Sequence, residues 1–301
     1  MSEEKISSSG SWPMKNVALL LTSAFIWGTA FVAQSMGSEH LGAFTFNALR
    51  FLIGVMVLCP CIALFDRAAR RSGEAVPSKL PLAGGFFCGL ALFCGAAAQQ
   101  LGIPLTTIGK TSFITSMYIV LVPILNLFRG KKAGLALWVG VASAVAGLYL
   151  LCLNETLSVN RGDALILLSA LMYSGHILLV ERYSAQSDCL RLSCIQFLVC
   201  GLLSAAVMLV LESPQWASVR AAWKSVLYTG IFSSGVAYTF QVIGQRGIDP
   251  TLSAIVLSLE AVFGVLAGWV ILGQVLSARE AWGCVFMFCA IILAQLPQRH
   301  G

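Results

Sequence analysis

Glu260 and Arg50 are the two charged residues that fall deep inside long apolar runs of this 301-residue chain. Glu260 lies about ten residues into the run 251–272, roughly 15 Å from its start at the rise of a helix. A carboxylate at the centre of an apolar slab costs about 2.5–3.5 kcal/mol or more unless it faces a cavity, pairs or takes up a proton. Glu260 therefore reads as a proton-coupling group or a site for a substrate ammonium; the competing reading is a group that locks its helix to a neighbour. Arg50, in the run 44–65, offers a planar fork suited to a carboxylate. It serves equally as an inter-helix anchor, or snorkels outward on its long stem. The two could also pair with each other.

Around these charges the runs carry aromatic and amide side chains. Trp27, Tyr118, Tyr173 and Tyr238 fall within runs rather than at their ends, so an interfacial belt does not account for them. They suit the walls of a pocket, stacked on a cation or ring, or ordinary packing with a partner for each NH or OH. Asn47, Gln99, Gln100, Gln196 and Gln241 form a polar set that lines a seam or bonds helices together at about 0.6 kcal/mol each. His176 sits mid-run, as a ligand-facing group or a satisfied buried histidine. The sequence Gly264-x-x-x-Gly268 is a close-packing motif with no chemistry of its own.

These residues need elements to hold them, and the composition says which. Hydrophobic residues make up 58% of the chain, charged residues 11%, and the mean hydropathy is +0.85. An ordinary soluble domain is about 25% charged, and this chain has too little polar cover for its apolar surface. A water-soluble enzyme, a disordered chain and a disulfide-stapled module are excluded. A spanning helix needs about 20 apolar residues. Ten runs qualify: 17–35, 44–65, 81–101, 111–128, 133–153, 162–181, 192–211, 224–243, 251–272 and 279–297. They are too long for the strands of a β-barrel. The expected fold is an all-α polytopic membrane protein.

Lys and Arg set its orientation. With the N-terminus inside, the inner segments hold Lys5 and Lys15; Arg67, Arg70, Arg71 and Lys79; Arg129, Lys131 and Lys132; Arg182 and Arg191; Arg246; and Arg299. The outer segments hold only Lys110, Arg161, Arg220, Lys224 and Arg279. The bias puts both termini in the cytoplasm, and the net charge of +6 is a topology signal rather than a nucleic-acid signal.

The chain also repeats itself. Trp27-Gly28 falls on Tyr173-Ser174, and Asn47 through Phe51 fall on Ser193 through Phe197, both at an offset of 146. Gly89 and Gln100 fall on Gly230 and Gln241 at 141; Gly130 and Gly140 fall on Gly273 and Gly283 at 143. The order predicts a 5+5 duplication: a polar tail 1–14, a first repeat 15–153, a linker 154–161, a second repeat 162–297 and a tail 298–301. Five is odd, so the second half enters the membrane inverted, an architecture that places a substrate site near the midplane between halves.

Four passages resemble the drug/metabolite transporter superfamily, EamA type: Ala24-Phe25-Ile26-Trp27-Gly28; Ala48-Leu49-Arg50-Phe51; Pro123 with Gly140 through Gly147; and Ser258 through Phe263 running to Leu272-Gly273-Gln274. The pattern departs at Ala261, where the family usually has Pro, and at Gln274, where it often has Glu. The resemblance implies ten helices, a central cavity and alternating access for small metabolites, including amino acids.

The expected function is secondary active or facilitative transport of small polar metabolites, amino-acid-like and outward, in the cell membrane. Protons join if Glu260 exchanges them. No cofactor, metal or nucleic acid is implied, and the assembly is a monomer or homodimer. An integral-membrane enzyme or passive channel is the alternative. The three histidines are scattered, no P-loop, HExxH or GxSxG motif is present, and the ten cysteines hold no zinc-type pair of CxxC motifs.

Overall fold

The computed structural model describes residues 14–73, 75–77, 79–130, 134–152, 160–272 and 277–294. Outside them lie nearly all of the tail 1–14, most of the linker 154–161, the tail 298–301, and Lys131, Lys132 and Gln274. Among the described residues the regular structure is entirely helical. That is the expected answer to an apolar surround, where each backbone N–H and C=O must be satisfied within its own segment.

The helices are α1 (Met14–Ser38), α2 (Ala43–Arg71), α3 (Leu82–Gly102), α4 (Ile108–Thr115), α5 (Tyr118–Phe128), α6 (Leu135–Cys152) and α7 (Arg161–Ser184). Then follow α8 (Cys189–Leu211), α9 (Trp216–Ala221), α10 (Trp223–Tyr228), α11 (Thr239–Gln245), α12 (Pro250–Leu257), α13 (Glu260–Leu272) and α14 (Ala278–Ala294). A 3-10 turn, Ile103–Leu105, follows α3, and a π-helical stretch, Thr229–Tyr238, joins α10 to α11. Short polar side chains start several of them. Asn160 and Asp163 form a reciprocal capping box on α7, Asp188 caps α8, and Asp249 caps α12 with Pro250 at its first position.

Among the described residues, eight segments are long and apolar enough to cross a membrane, counting α4–α5, α10–α11 and α12 with the start of α13 as one each. The described parts of the other two expected spans, in α6 and α14, are apolar over Leu137–Leu150 and Ala281–Ala290. Two runs expected to be single helices are broken. The fourth is interrupted at Ser116-Met117 and the ninth at Ser258-Leu259. At both places the backbone tightens to three-residue bonds, Met117 N to Ile114 O and Leu259 N to Val256 O. The Ser258 hydroxyl adds its own bond to Ile255 O at 2.8 Å. Serine hydroxyls compete with the helical ladder in this way. Glu260 consequently opens α13 instead of lying within one long helix.

Large apolar side chains cover the outside, and polar ones are buried within beside an apolar core. Phe25, Met56, Phe86, Leu202, Leu209 and Val210 are exposed, whereas Asn47, Arg50, Gln99, Gln196, Gln245 and Glu260 are buried. In the packing, α2 lies along α8, α6 along α14, and α3 between α7 and α8. Helix α1 contacts α11, α12, α13 and the π-helical stretch, while α7 contacts α3, α4 and α5. Gly264 lies against Gly28, so the small-residue motif brings α13 close to α1.

Candidate functional site

Helix α1 carries Trp27, Phe31 and Gln34 at spacings of four and three, so one face presents all three. That face meets Arg50 of α2, Gln99 of α3, Tyr173 and His176 of α7, Tyr238 of the π-helical stretch and Gln241 of α11 around one internal cavity. Thr115, Tyr118, Leu257 and Glu260 come from the two broken helices and complete the wall with Ile177 and Ser233. Its volume is about 40 Å³, room for a few waters.

The two breaks put Tyr118 and Glu260 at the first positions of α5 and α13, and Tyr118 Oη donates to Glu260 Oε1 at 2.9 Å. Beside them Tyr173 Oη donates to Gln99 Oε1 at 3.3 Å, and Gln99 Nε2 donates to Thr115 Oγ1 at 3.2 Å. Trp27 Nε1 donates to Ser233 O at 3.3 Å, and its ring centre lies 4.6 Å from that of Tyr238. His176 stands edge-on to Tyr238 and shares a 2.9 Å bond with Gln196 Oε1. The Ser233 carbonyl that receives Trp27 belongs to the π-helical stretch, a geometry often found at functional sites.

Arg50 is 1% exposed and does not snorkel. Its Nη1 donates to Gln34 Oε1 at 3.1 Å, and its guanidinium carbon lies 4.6 Å from the centre of the Phe51 ring. No ion pair joins it to Glu260. The cavity therefore has one guanidinium and one carboxyl group, each satisfied in part by neutral neighbours.

Nine of the twelve residues expected at the site line this cavity; Asn47, Gln100 and Gln196 do not. Asn47 Nδ2 bonds Ala96 O at 3.0 Å and ties α2 to α3. Gln100 Nε2 bonds Ser38 Oγ at 2.8 Å near the end of α1. Gln196 stands behind His176. These three amides bond helices together, the second of the two roles open to them, while Gln99 and Gln241 face the cavity. Gln34, Thr115 and Ser233 line the cavity without having been expected there. The i, i+4, i+7 spacing of Trp27, Phe31 and Gln34 is the signal that places Gln34; nothing in the sequence marks Ser233 as the carbonyl facing Trp27. Among the described residues no group of three or more His, Cys, Asp or Glu is placed to hold a metal ion.

A helical protein with an apolar outer surface and a cavity that carries Arg50 and Glu260 between broken helices has the build of a multi-pass membrane transporter. The EamA-like transporter family model matches residues 14–153 and, a second time, residues 160–296. The chain belongs to this family. It is similar to an uncharacterized transporter of Archaeoglobus fulgidus, 28% identical over 277 residues that cover 91% of this chain and 83% of the relative. The uncharacterized transporter YoaV of Bacillus subtilis is 22% identical, covering 91% and 94%. The uncharacterized inner membrane transporter YedA of Escherichia coli K12 is 24% identical, covering 90% and 87%. One solved crystal structure superposes with a TM-score of 0.78 at 19% identity, over 95% of this chain and 98% of its own, a likeness of fold. The protein is a membrane transporter of a small molecule, not an enzyme.

Proposed function

We propose that the chain is a 5+5 inverted repeat that carries small, amino-acid-like metabolites across the cell membrane by alternating access, with both termini in the cytoplasm. The repeats are those expected from the sequence, 15–153 and 162–297, and each supplies half of the cavity. The observation that carries this reading is the pairing of Tyr118 with Glu260. They stand 142 positions apart, each opens the second half of a broken helix, and they bond to one another. Residues at matching positions of two repeats meet in this way on a two-fold axis.

Two further contacts support the same symmetry. Asp66, near the end of α2, reaches Arg191 at the start of α8, while Glu212, at the end of α8, reaches Thr45 at the start of α2. Asp66 and Glu212 are 146 positions apart, and so are Thr45 and Arg191. The helices are broken beside the cavity, as substrate sites of inverted-repeat transporters are.

A cavity of about 40 Å³ is far below the 300–1,000 Å³ usual for small-molecule pockets. The halves must part on one side to admit a solute, and on the other to release it. Arg50 and Glu260 give the cavity an end for a carboxylate and an end for an ammonium, as a zwitterion requires. Glu260 is the proton-coupling residue if transport is driven.

Counterflow in proteoliposomes tests the reading. Internal unlabelled solute should accelerate entry of labelled amino acid, because a carrier returns faster loaded. Flux with no trans-stimulation would assign a channel instead. Glu260→Gln should impair uptake driven by a pH gradient, and an unaltered response would remove Glu260 from coupling.

A further inference from the structure

The guanidinium of Arg50 is held on one side and open on the other. Nη1 donates to Gln34 Oε1, while Nε and Nη2 are buried with no hydrogen-bond partner. Nε and Nη2 are the adjacent donors on one edge of the fork, two N–H groups pointing side by side. Phe51 covers a face of the plane at 4.6 Å, and Phe46 lies 5.9 Å away. Among the described residues no carboxylate is within ion-pair distance. Buried charged donors are costly to leave unmet, so this edge has the character of a prepared site.

Gln34 is itself fixed. Its main-chain oxygen accepts from Gln100 Nε2 at 3.3 Å and from Ser38 Oγ at 2.8 Å, and Gln100 Nε2 also donates to Ser38 Oγ at 2.8 Å. Gln34 is 4% exposed, on the cavity face of α1. A neutral amide in this place orients the fork without neutralising it; an Asp or Glu would have consumed the charge.

We propose that the Nε/Nη2 edge of Arg50 is the docking edge for the substrate's carboxylate, taken in a two-bond, side-on grip, and that Gln34 is the positioning residue that leaves this edge free. This rests on the amino-acid-like reading above and names the recognised group, the donor atoms and the residue that aims them. A planar monoanion fits better than phosphate. Two parallel donors match two carboxylate oxygens, and Glu260 shares the same small cavity, where a second negative charge would be repelled.

The test compares free L-amino acids with their carboxamides on the purified full chain in proteoliposomes, reading KM and kcat from counterflow. The wild-type protein should prefer an acid over its amide by roughly 10- to 100-fold, the worth of the charge-assisted bonds lost. Arg50→Lys, a point charge without the fork, and Arg50→Gln should collapse that preference. Gln34→Ala should raise KM for the acid more than for the amide, so that the acid-to-amide preference falls several-fold. It reports on the edge even if Arg50 variants fold poorly. An acid-to-amide preference unchanged in Gln34→Ala would overturn the positioning role. Wild-type counterflow of amines or amides with no preference for acids would overturn the carboxylate edge while leaving the transporter reading intact. Counterflow of nothing in the panel would count against both.

Discussion

Gly28 gives the sharpest test of how α1 and α13 meet. A Cβ added there would lie 2.6 Å from Glu260 O, 2.7 Å from Gly264 N and 2.8 Å from Phe263 Cβ. Comfortable non-bonded separations are about 3.5–4.0 Å. Two of the three obstacles are backbone atoms of the facing helix, so no rotamer change relieves them. The helices must separate by roughly 1 Å, and overpacking of this kind costs about 1–3 kcal/mol. Ala in a helix recovers about 0.5–1 kcal/mol relative to Gly. Gly28→Ala is therefore net destabilising by about 1–2 kcal/mol. Gly175, inside α7, supplies the control, because a Cβ there meets nothing within 4 Å and Gly175→Ala keeps only the gain. The shared gain cancels, so the two variants should differ by the overpacking cost, about 1–3 kcal/mol, which at about 2–4 °C per kcal/mol separates their thermal midpoints by roughly 2–12 °C. The assay is thermal unfolding of both in one detergent at one scan rate, since membrane proteins seldom unfold reversibly. Equal midpoints would refute the close approach of α1 to α13, and with it the placement of Glu260 beside Trp27.

Three other perturbations read other contacts. Tyr118→Phe and Glu260→Gln each disturb the 2.9 Å bond between the starts of α5 and α13. A double-mutant cycle on stability should show coupling of about 1–3 kcal/mol, and strict additivity would mean that the pair is not formed. Asp66→Asn loses the contact of both carboxylate oxygens with Arg191 Nη2 at 2.7 Å. The Asp66 side chain is 24% exposed, so the loss should be about 1 kcal/mol. The exchange Asp66→Arg with Arg191→Asp should recover part of it, and an exchange no better than the single variants would refute a pairwise attraction. Glu212 accepts from the backbone N–H groups of Phe44 and Thr45 and from the Thr45 hydroxyl. Removing such a cap from the start of α2 with Glu212→Ala should lower stability by about 1 kcal/mol. Proteolysis or hydrogen exchange that reports no loosening at 43–46 would contradict it.

The sequence disclosed the charges more readily than the geometry that holds them. Arg50 and Glu260 stand out because a charge within an apolar run has to be explained. Trp27, Tyr118, Tyr173 and Tyr238 stand out because they lie away from the ends of their runs, and all four line the cavity. The breaks were invisible for a definite reason. Ser116-Met117 and Ser258-Leu259 contain neither Gly nor Pro, whereas Pro123, the conventional breaker, lies inside α5. Periodicity also reports which face of a helix is polar but not what that face meets. Asn47, Gln100 and Gln196 were therefore indistinguishable from Gln99 and Gln241, although only the latter two reach the cavity. Gln34 was passed over at the edge of a run ending at 35, while α1 continues to Ser38.

The missed breaks change how the acid acts. In an unbroken helix Glu260 would be a lone carboxylate on a stiff rod, and transport would need the rod to move as a whole. At the start of α13 it sits on a joint, with two residues between it and α12 and its bonding partner on the joint of the other broken helix. A solute ammonium that replaces Tyr118 as the partner of Glu260 would act on both joints together, since the lost bond is the one that links them. A solute carboxylate would at the same moment meet the open edge of Arg50, on a different helix. Binding would then exchange one internal contact for contacts to two separate elements, the kind of differential interaction by which a ligand can shift a conformational equilibrium. On this argument a solute with only one of the two charges binds but turns the carrier over slowly. That outcome appears in counterflow as a low kcat for amines and for acids alike, and equal kcat for one-charged and zwitterionic solutes would contradict it.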